Sequence, residues 1–117
     1  MVLREATTAD FEAIVRLIPT EKELFLVYPK GVHPFSINQL HSLATERKEL
    51  TVAVQHGEVV GFANLYDVVP NEYAFVGNVV VAKNSRGQGI GRQLIARMIQ
   101  QAFDKYGVRE ARISVFN

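Results

Sequence analysis

The segment that most constrains the fold runs from a buried strand through a glycine-rich turn into one long amphipathic helix. Residues 73–81 end in three valines without polar alternation, which predicts a strand in the middle of a sheet and covered on both faces. From Ile90 onward apolar residues recur at helical spacing, and Gly107 follows as the helix-ending residue. A further strand is predicted over residues 111–116. Strand, helix and strand in this order form a right-handed crossover, so the two strands should be parallel.

The predicted helix buries one stripe of side chains and exposes the rest. The apolar stripe consists of Leu94, Ile95, Met98, Ile99, Ala102, Phe103 and Tyr106. Charged and amide side chains occupy the other face, as in a helix that packs on a sheet.

The first half of the chain predicts one strand and two helices. A short strand covers residues 2–5, and Thr7 or Thr8 caps a helix that ends at Pro19. Ser36 opens a second helix, because a glutamine follows it three residues later in the capping-box pattern. Prolines and a glycine interrupt residues 20–35, which are therefore predicted to be irregular and to face a ligand.

Two strands joined by a tight turn complete the pattern. Residues 50–55 and 58–69 are rich in apolar and β-branched residues, and His56-Gly57 between them is a hairpin signal. We therefore predict an α/β (α+β) fold with a mixed, mostly antiparallel central sheet and flanking helices. The predicted order is β-α-α-β-β-β-α-β, and residues 1–117 are predicted to form a single domain.

Composition narrows the functional classes. The formal net charge is +1 and the charges are scattered, which argues against nucleic acid and anionic membranes as partners. No apolar run approaches membrane-spanning length, and the absence of cysteine fits a reducing compartment, so a cytoplasmic location is predicted. The histidines His33, His41 and His56 lack metal-ligand spacing, and no metal site is predicted.

The glycine-rich turn carries the strongest functional signal. Three glycines, Gly87, Gly89 and Gly91, lie within five positions. Without Cβ atoms they let the backbone take positive φ and let its amides approach phosphate oxygens. The first turn of the following helix adds free N–H groups and a positive dipole end. A tight turn that serves packing alone is the structural alternative, whereas the spacing fits neither the Rossmann fingerprint nor a P-loop.

This stretch resembles motif A of the GNAT superfamily of N-acetyltransferases, whose signature [QR]-x-x-G-x-[GA] reads here Arg86-x-x-Gly89-x-Gly91. The resemblance covers essentially the whole chain and implies acetyl-CoA as the acyl donor. It implies that the backbone of Val79, Val80 and Val81 pairs with the pantetheine arm, and that one strand amide forms an oxyanion hole. The same valines can fill the core with their side chains. By the same resemblance the pyrophosphate would be held by Arg86, Gly87, Gln88, Gly89, Ile90, Gly91 and Arg92.

The general base is less well defined. Glu72 and Tyr73 at the entry to the valine strand are the predicted catalytic residues, and Asp67 before the loop is a further candidate. The position at which some members of the superfamily carry a catalytic glutamate is Phe75 here. Residues 112–115, where other members carry one, also lack a carboxylate. Base catalysis would then run through water or Glu72.

The resemblance also implies a last helix with a tyrosine and two closing strands, whereas this sequence ends at Asn117. We therefore expect a truncated domain, or one that completes its sheet in a homodimer. The predicted function is transfer of acetyl from acetyl-CoA to a primary amine of a small molecule, in preference to protein N-termini or lysines. Residues 25–35, Asn64 and Tyr66 could line the acceptor pocket. The alternatives are a catalytically silent acyl-CoA-binding or dimerisation module, and a structural domain without a CoA site.

Overall fold

A mixed five-stranded sheet in the order β1-β2-β3-β4-β5 forms the centre of the computed structural model, which describes residues 1–113. The strands are β1 (Val2–Glu5), β2 (Lys48–Gln55), β3 (Glu58–Val69), β4 (Tyr73–Val81) and β5 (Glu110–Ile113). The α-helices are α1 (Phe11–Arg16), α2 (Glu21–Val27), α3 (Ile37–Glu46) and α4 (Ile90–Tyr106). The predicted continuation of β5 over residues 114–116 lies outside the described residues.

The pairing of the strands confirms the predicted fold class. β1 to β4 pair antiparallel, and β5 pairs parallel with β4 after the α4 crossover. His56 and Gly57 join β2 to β3 with φ values of 54° and 77°, the left-handed conformation that a two-residue hairpin turn requires. β4 therefore lies between β3 and β5, as its apolar sequence predicts.

Helix α2 was not predicted, and the prediction of irregular structure over residues 20–35 is wrong for Glu21–Val27. The Oγ1 atom of Thr20 accepts a hydrogen bond of 3.1 Å from the Glu23 amide, which caps the first turn. Two acidic side chains in that turn complement the helix dipole. Leu24, 2% exposed, anchors the helix to the core. The observed order is β-α-α-α-β-β-β-α-β.

Two apolar clusters lie on opposite faces of the sheet. The α1–α3 core joins helices α1 to α3 to one face through Ile14, Leu40 and Phe62. The α4 core joins α4 to the other face through Leu94 and Met98. The predicted stripe of α4 is confirmed except for Phe103, which is 43% exposed because it lies on the solvent side of the helix.

Two β-bulges interrupt the β3–β4 pairing, one near its Tyr73 end and one near its middle. The register passes from Tyr66↔Phe75 to Val69↔Tyr73, which leaves an extra residue in β3, and Asp67 there has φ of 46°. A second register shift leaves an extra residue in β4, where Asn78 has φ of 50°. Bulges bend a strand and redirect its side chains. The sheet is therefore reshaped where β4 approaches α2.

Candidate functional site

The glycine-rich turn between β4 and α4 has an open backbone. Gly87 and Gly89 have φ values of 84° and 82°, which disfavour other residues. Among the described residues, no heavy atom beyond the chain neighbours lies within 4 Å of a Cβ placed on either glycine. A Cβ on Gly91 would meet only Val81 Cγ2, at an ordinary 3.6 Å. Tight packing therefore does not require these glycines, and the space beside the turn is free for a ligand.

The first turn of α4 presents unpaired amides to this space. Gly89 is the N-cap residue and has no side chain to accept from the first-turn N–H groups. The first backbone amide of α4 that donates a hydrogen bond in the helical pattern is that of Gln93, and its acceptor is the Gly89 carbonyl at 3.1 Å. A helix start of this kind attracts anions through its N–H groups and its dipole.

The two arginines that flank the turn differ in their contacts. Arg86 donates through Nε to the Val81 carbonyl at 3.0 Å, and its Nη2 lies 3.6 Å from Glu23 Oε1 on α2. Arg92 is exposed and forms no ion pair within residues 1–113. The Arg92 side chain is therefore available to bind an anion, whereas Arg86 holds the turn against the end of β4.

The side chains of the three valines of β4 fill the core, and one backbone edge of these valines is unpaired within residues 1–113. Val80 is buried in the α1–α3 core, and Val79 and Val81 pack half-buried against the α4 core. Pairing with β5 extends from Tyr73 to Val76. Beyond Val76, and as far as the structure is described, no strand pairs with that edge of β4. An extended ligand could therefore add to it by strand-like hydrogen bonds.

A cavity of about 430 Å³ opens beside the bulge of β4. It lies where α2 and its following loop, the end of α3, β3, β4 and α4 converge. The lining residues are Leu26, Val27, Tyr28, Pro29, Lys30, Glu46, Arg47, Tyr66, Asp67, Val76, Gly77, Asn78, Val79, Ile95 and Ile113. All of residues 26–30 lie in the segment 20–35 that was predicted to face a ligand, and Tyr66 was predicted as a lining residue. Asn64 does not line the cavity, nor does Phe25, which is 59% exposed.

Asn78 fixes the bulge to α2. Its Nδ2 donates to the Val27 carbonyl at 2.8 Å, and its Oδ1 accepts from Asn64 Nδ2 at 2.9 Å. Both asparagines are buried, so these bonds are partly shielded from water. Sequence reasoning missed this role, although a Gly77-Asn78 pair inside an apolar strand is a signal for a bulge.

An aromatic row continues from the cavity along the same face of the sheet. The Arg47 guanidinium lies 4.2 Å from the Tyr66 ring centroid, and the Tyr66 and Phe75 rings stack at 5.1 Å. Tyr73 meets Phe75 edge-on at 6.0 Å, and Arg112 lies 4.4 Å from the Tyr73 ring. Tyr73 therefore lies at the far end of the row from the cavity.

The predicted catalytic residues do not line the cavity. The Glu72 side chain is exposed, and its backbone carbonyl accepts the Arg109 amide at 2.9 Å at the entry to β5. Tyr73 is covered by Arg112. Asp67, the further candidate, does line the cavity, because the bulge in β3 interrupts the regular alternation of side chains. Glu110 is held by Arg112, whose hydrogen bond lowers the pKa of this carboxyl group.

Two features are absent from the residues that the structure describes. No group of three or more His, Cys, Asp or Glu side chains within residues 1–113 is arranged to hold a metal ion. In the same part of the chain, no helix is both long enough and apolar enough to cross a membrane.

Comparison with known proteins identifies the family and proteins of similar fold. The model of the acetyltransferase (GNAT) family matches residues 11–117. The ribosomal-protein-alanine N-acetyltransferase from Brucella melitensis is 26% identical, with a TM-score of 0.72 over 91% of this chain and 69% of that chain. A Mycobacterium tuberculosis protein solved in complex with CoA is 24% identical, with a TM-score of 0.74 over 100% of this chain and 66% of that chain. The N-acetylglutamate synthase from Neisseria gonorrhoeae, complexed with coenzyme A and N-acetyl-glutamate, is 20% identical, with a TM-score of 0.75 over 99% of this chain and 25% of that chain.

Proposed function

Because this chain belongs to the acetyltransferase (GNAT) family, we propose that it transfers an acetyl group from acetyl-CoA to a primary amine of a small molecule. The observation that carries the proposal is the course of β4. Its bulge borders the 430 Å³ cavity, and its end leads through a short 3-10 helix, Lys83–Ser85, into the glycine-rich turn. A ligand that lies along β4 would have its anionic part at the turn and its reactive part at the cavity.

The cofactor would be bound mainly by backbone. The turn from Arg86 to Arg92 would hold the pyrophosphate through the first-turn amides of α4 and the free Arg92 side chain. The pantetheine arm would add to the open edge of β4 along Val79, Val80 and Val81. The thioester would then lie near the bulge, where Gly77, Asn78 and Val79 line the cavity.

The chemistry that this arrangement supports is direct acyl transfer. The unprotonated amine attacks the thioester carbonyl carbon, the C–S bond breaks, and the departing thiolate of CoA takes up a proton. The carbonyl oxygen becomes negative during the attack, and a β4 amide at its open edge would stabilise it. We propose Asp67 as the group that accepts the amine proton, because it lines the cavity. Glu72 and Tyr73 stay the alternatives predicted from the sequence.

A calorimetric titration with acetyl-CoA tests the cofactor site, and Gly91→Glu is the sharpest variant. A glutamate in the first turn of α4 suits both helix propensity and the helix dipole, so the fold should survive. The same carboxylate would repel the pyrophosphate. We expect saturable binding by the parent chain and at least about tenfold weaker binding by the variant, since a repulsion of about 1.4 kcal/mol has that effect. Equal binding by both would overturn the placement of the pyrophosphate.

Steady-state turnover with a panel of primary amines tests the base. Asp67→Asn keeps the shape of the side chain and tolerates the positive φ, and we expect a fall in kcat of about 100-fold or more. Glu72→Gln is the matched carboxylate outside the cavity and should leave kcat nearly unchanged. The reverse pattern would return the role to Glu72.

The second candidate is a catalytically silent acyl-CoA-binding or dimerisation module. It is favoured by one observation, that neither Glu72 nor Tyr73 borders the cavity. Binding of acetyl-CoA without turnover of any amine would support it. We also propose a homodimer, because β5 pairs only with β4 within residues 1–113 and an open edge invites association. The cytoplasm is proposed as its location because the sequence has no cysteine. Sedimentation velocity tests the dimer.

A further inference from the structure

Arg47 is a half-buried cation in the cavity that has no acidic partner among residues 1–113. Its guanidinium lies over the Tyr66 ring at 4.2 Å and lines the cavity. Within residues 1–113 it forms no ion pair, although Glu46 precedes it in the chain. A stacked, planar guanidinium is preorganised to bind a carboxylate through two parallel hydrogen bonds.

Four other arginines of the chain form ion pairs. The ion-paired arginines are Arg4 with Asp10, Arg16 with Glu12, Arg86 with Glu23 and Arg112 with Glu110. Arg112 provides the closest comparison, because it also lies over an aromatic ring at the opposite end of the same row. Among the residues that the structure describes, Arg112 thus has a carboxylate partner and Arg47 has none.

Because Gly77 has no side chain, the Arg47 guanidinium has room beside the reacting end of the proposed cofactor site. A Cβ on Gly77 would lie 2.9 Å from Arg47 Nη1 and 2.5 Å from Tyr66 Cδ1. The guanidinium therefore lies directly against the bulge of β4, next to the residues at which the thioester would lie. A group bound by Arg47 would be close to the acyl carbon.

We propose that Arg47 binds a carboxylate of the acceptor, so that the acceptor is a small amine that also carries a carboxylate. This inference rests on the acetyl transfer proposed above. The cavity carries both signs of charge that such an acceptor requires, since Glu46 and Asp67 line it together with Arg47 and Lys30. Its volume of about 430 Å³ is near the lower end for small-molecule pockets, which favours an amino-acid-sized ligand over a long peptide.

Product analogues test this inference separately from turnover. We would titrate the chain, with and without CoA, with N-acetylglycine and with N-acetylglycinamide, which differ only in the charge of the terminal group. NMR chemical shifts report binding at millimolar concentrations. We expect the carboxylate to bind about 10- to 100-fold more tightly than the amide, as for a charge-assisted hydrogen-bonded pair. Equal affinity, or no carboxylate-dependent binding, would refute the proposal.

Three variants assign the preference to Arg47. Arg47→Gln should abolish the preference for the carboxylate over the amide, and Arg47→Lys should retain part of this preference, because lysine keeps the charge without the planar fork. Arg112→Gln is the matched control and should leave it intact. A preference for the carboxylate that persists in Arg47→Gln, or that is lost in Arg112→Gln, would refute the assignment to Arg47. If the parent chain turns over no amine yet retains the carboxylate preference, the proposed activity fails while the binding site stands.

Discussion

Asp10 shows how one carboxylate ties the start of the chain together. Its two oxygens accept hydrogen bonds from the Arg4 guanidinium at 2.8 and 2.9 Å, and Oδ2 also accepts the Thr7 amide at 2.8 Å. The hydrogen bonds from Arg4 are the main cause that lowers the pKa of Asp10 to about 2. Burial opposes this shift and the Thr7 amide reinforces it. The charged form is therefore the one that stabilises the fold.

Replacement of Asp10 by asparagine should destabilise the chain in a pH-dependent way. The pKa is lower in the folded state than in the unfolded state, so the stabilisation is complete above about pH 4. It is lost as the pH falls from about 4 toward 2. We expect Asp10→Asn to lower the free energy of unfolding by about 1–2 kcal/mol at pH 7, and by much less near pH 2. Urea unfolding of both chains across this range measures the difference. A constant difference would contradict the role of the charge.

Some of the residues that shape the cavity could not be predicted from sequence patterns. The turn motif of Arg86, Gly89 and Gly91 is visible because glycine spacing is itself the signal. The bulges at Asp67 and Asn78 depend on how two strands pair, and a single strand does not specify that register. Arg47 was not predicted as a site residue for the same reason. Its place beside Gly77 exists only after α3, β3 and β4 have assembled.

At the scale of the element, α2 was missed although its start carries a local signal. Thr20 and Glu23 have the spacing of a capping box, and the Thr20 hydroxyl does cap the helix. The prolines and the glycine that follow suggested irregular structure for the whole segment. They lie after the helix ends, so they limit its length without preventing it. α4 was predicted correctly because its apolar residues recur at helical spacing over a long stretch, and this repeated signal outweighs any local one.

Two glycines at the contacts of α4 should respond differently to replacement by alanine. A Cβ on Gly61 would lie 2.8 Å from Leu94 Cδ1 and 3.3 Å from the Val80 carbonyl, so Gly61→Ala should cost about 1–3 kcal/mol. Gly91 has room for a methyl group, and Gly91→Ala should be neutral or stabilise the fold by up to about 1 kcal/mol. Thermal unfolding of the two variants measures both effects. A large loss of stability in Gly91→Ala would show that this glycine serves packing.

At the scale of the whole molecule, the proposed site depends on both apolar cores. The glycine-rich turn leads into α4, whose buried side packs in the α4 core. The cavity is bordered by α2, which packs through Leu24 in the α1–α3 core. β4 connects the two regions, and its valines contact both cores. Loss of either core would therefore move the turn relative to the cavity.

Truncations in the two cores should accordingly unfold the molecule as a unit. Leu40 in the α1–α3 core and Met98 in the α4 core are both fully buried, so each alanine variant should lose about 2–5 kcal/mol. Because one sheet separates the cores and contributes side chains to both, neither core can open without exposing the other side of the same strands. We expect a single transition in each variant, with equal midpoints by far-ultraviolet circular dichroism and by hydrogen exchange of α1 and α4 amides. A variant in which one helix exchanges well before the other would mean that the cores unfold separately, and that α2 could move over the cavity without disturbing the cofactor turn.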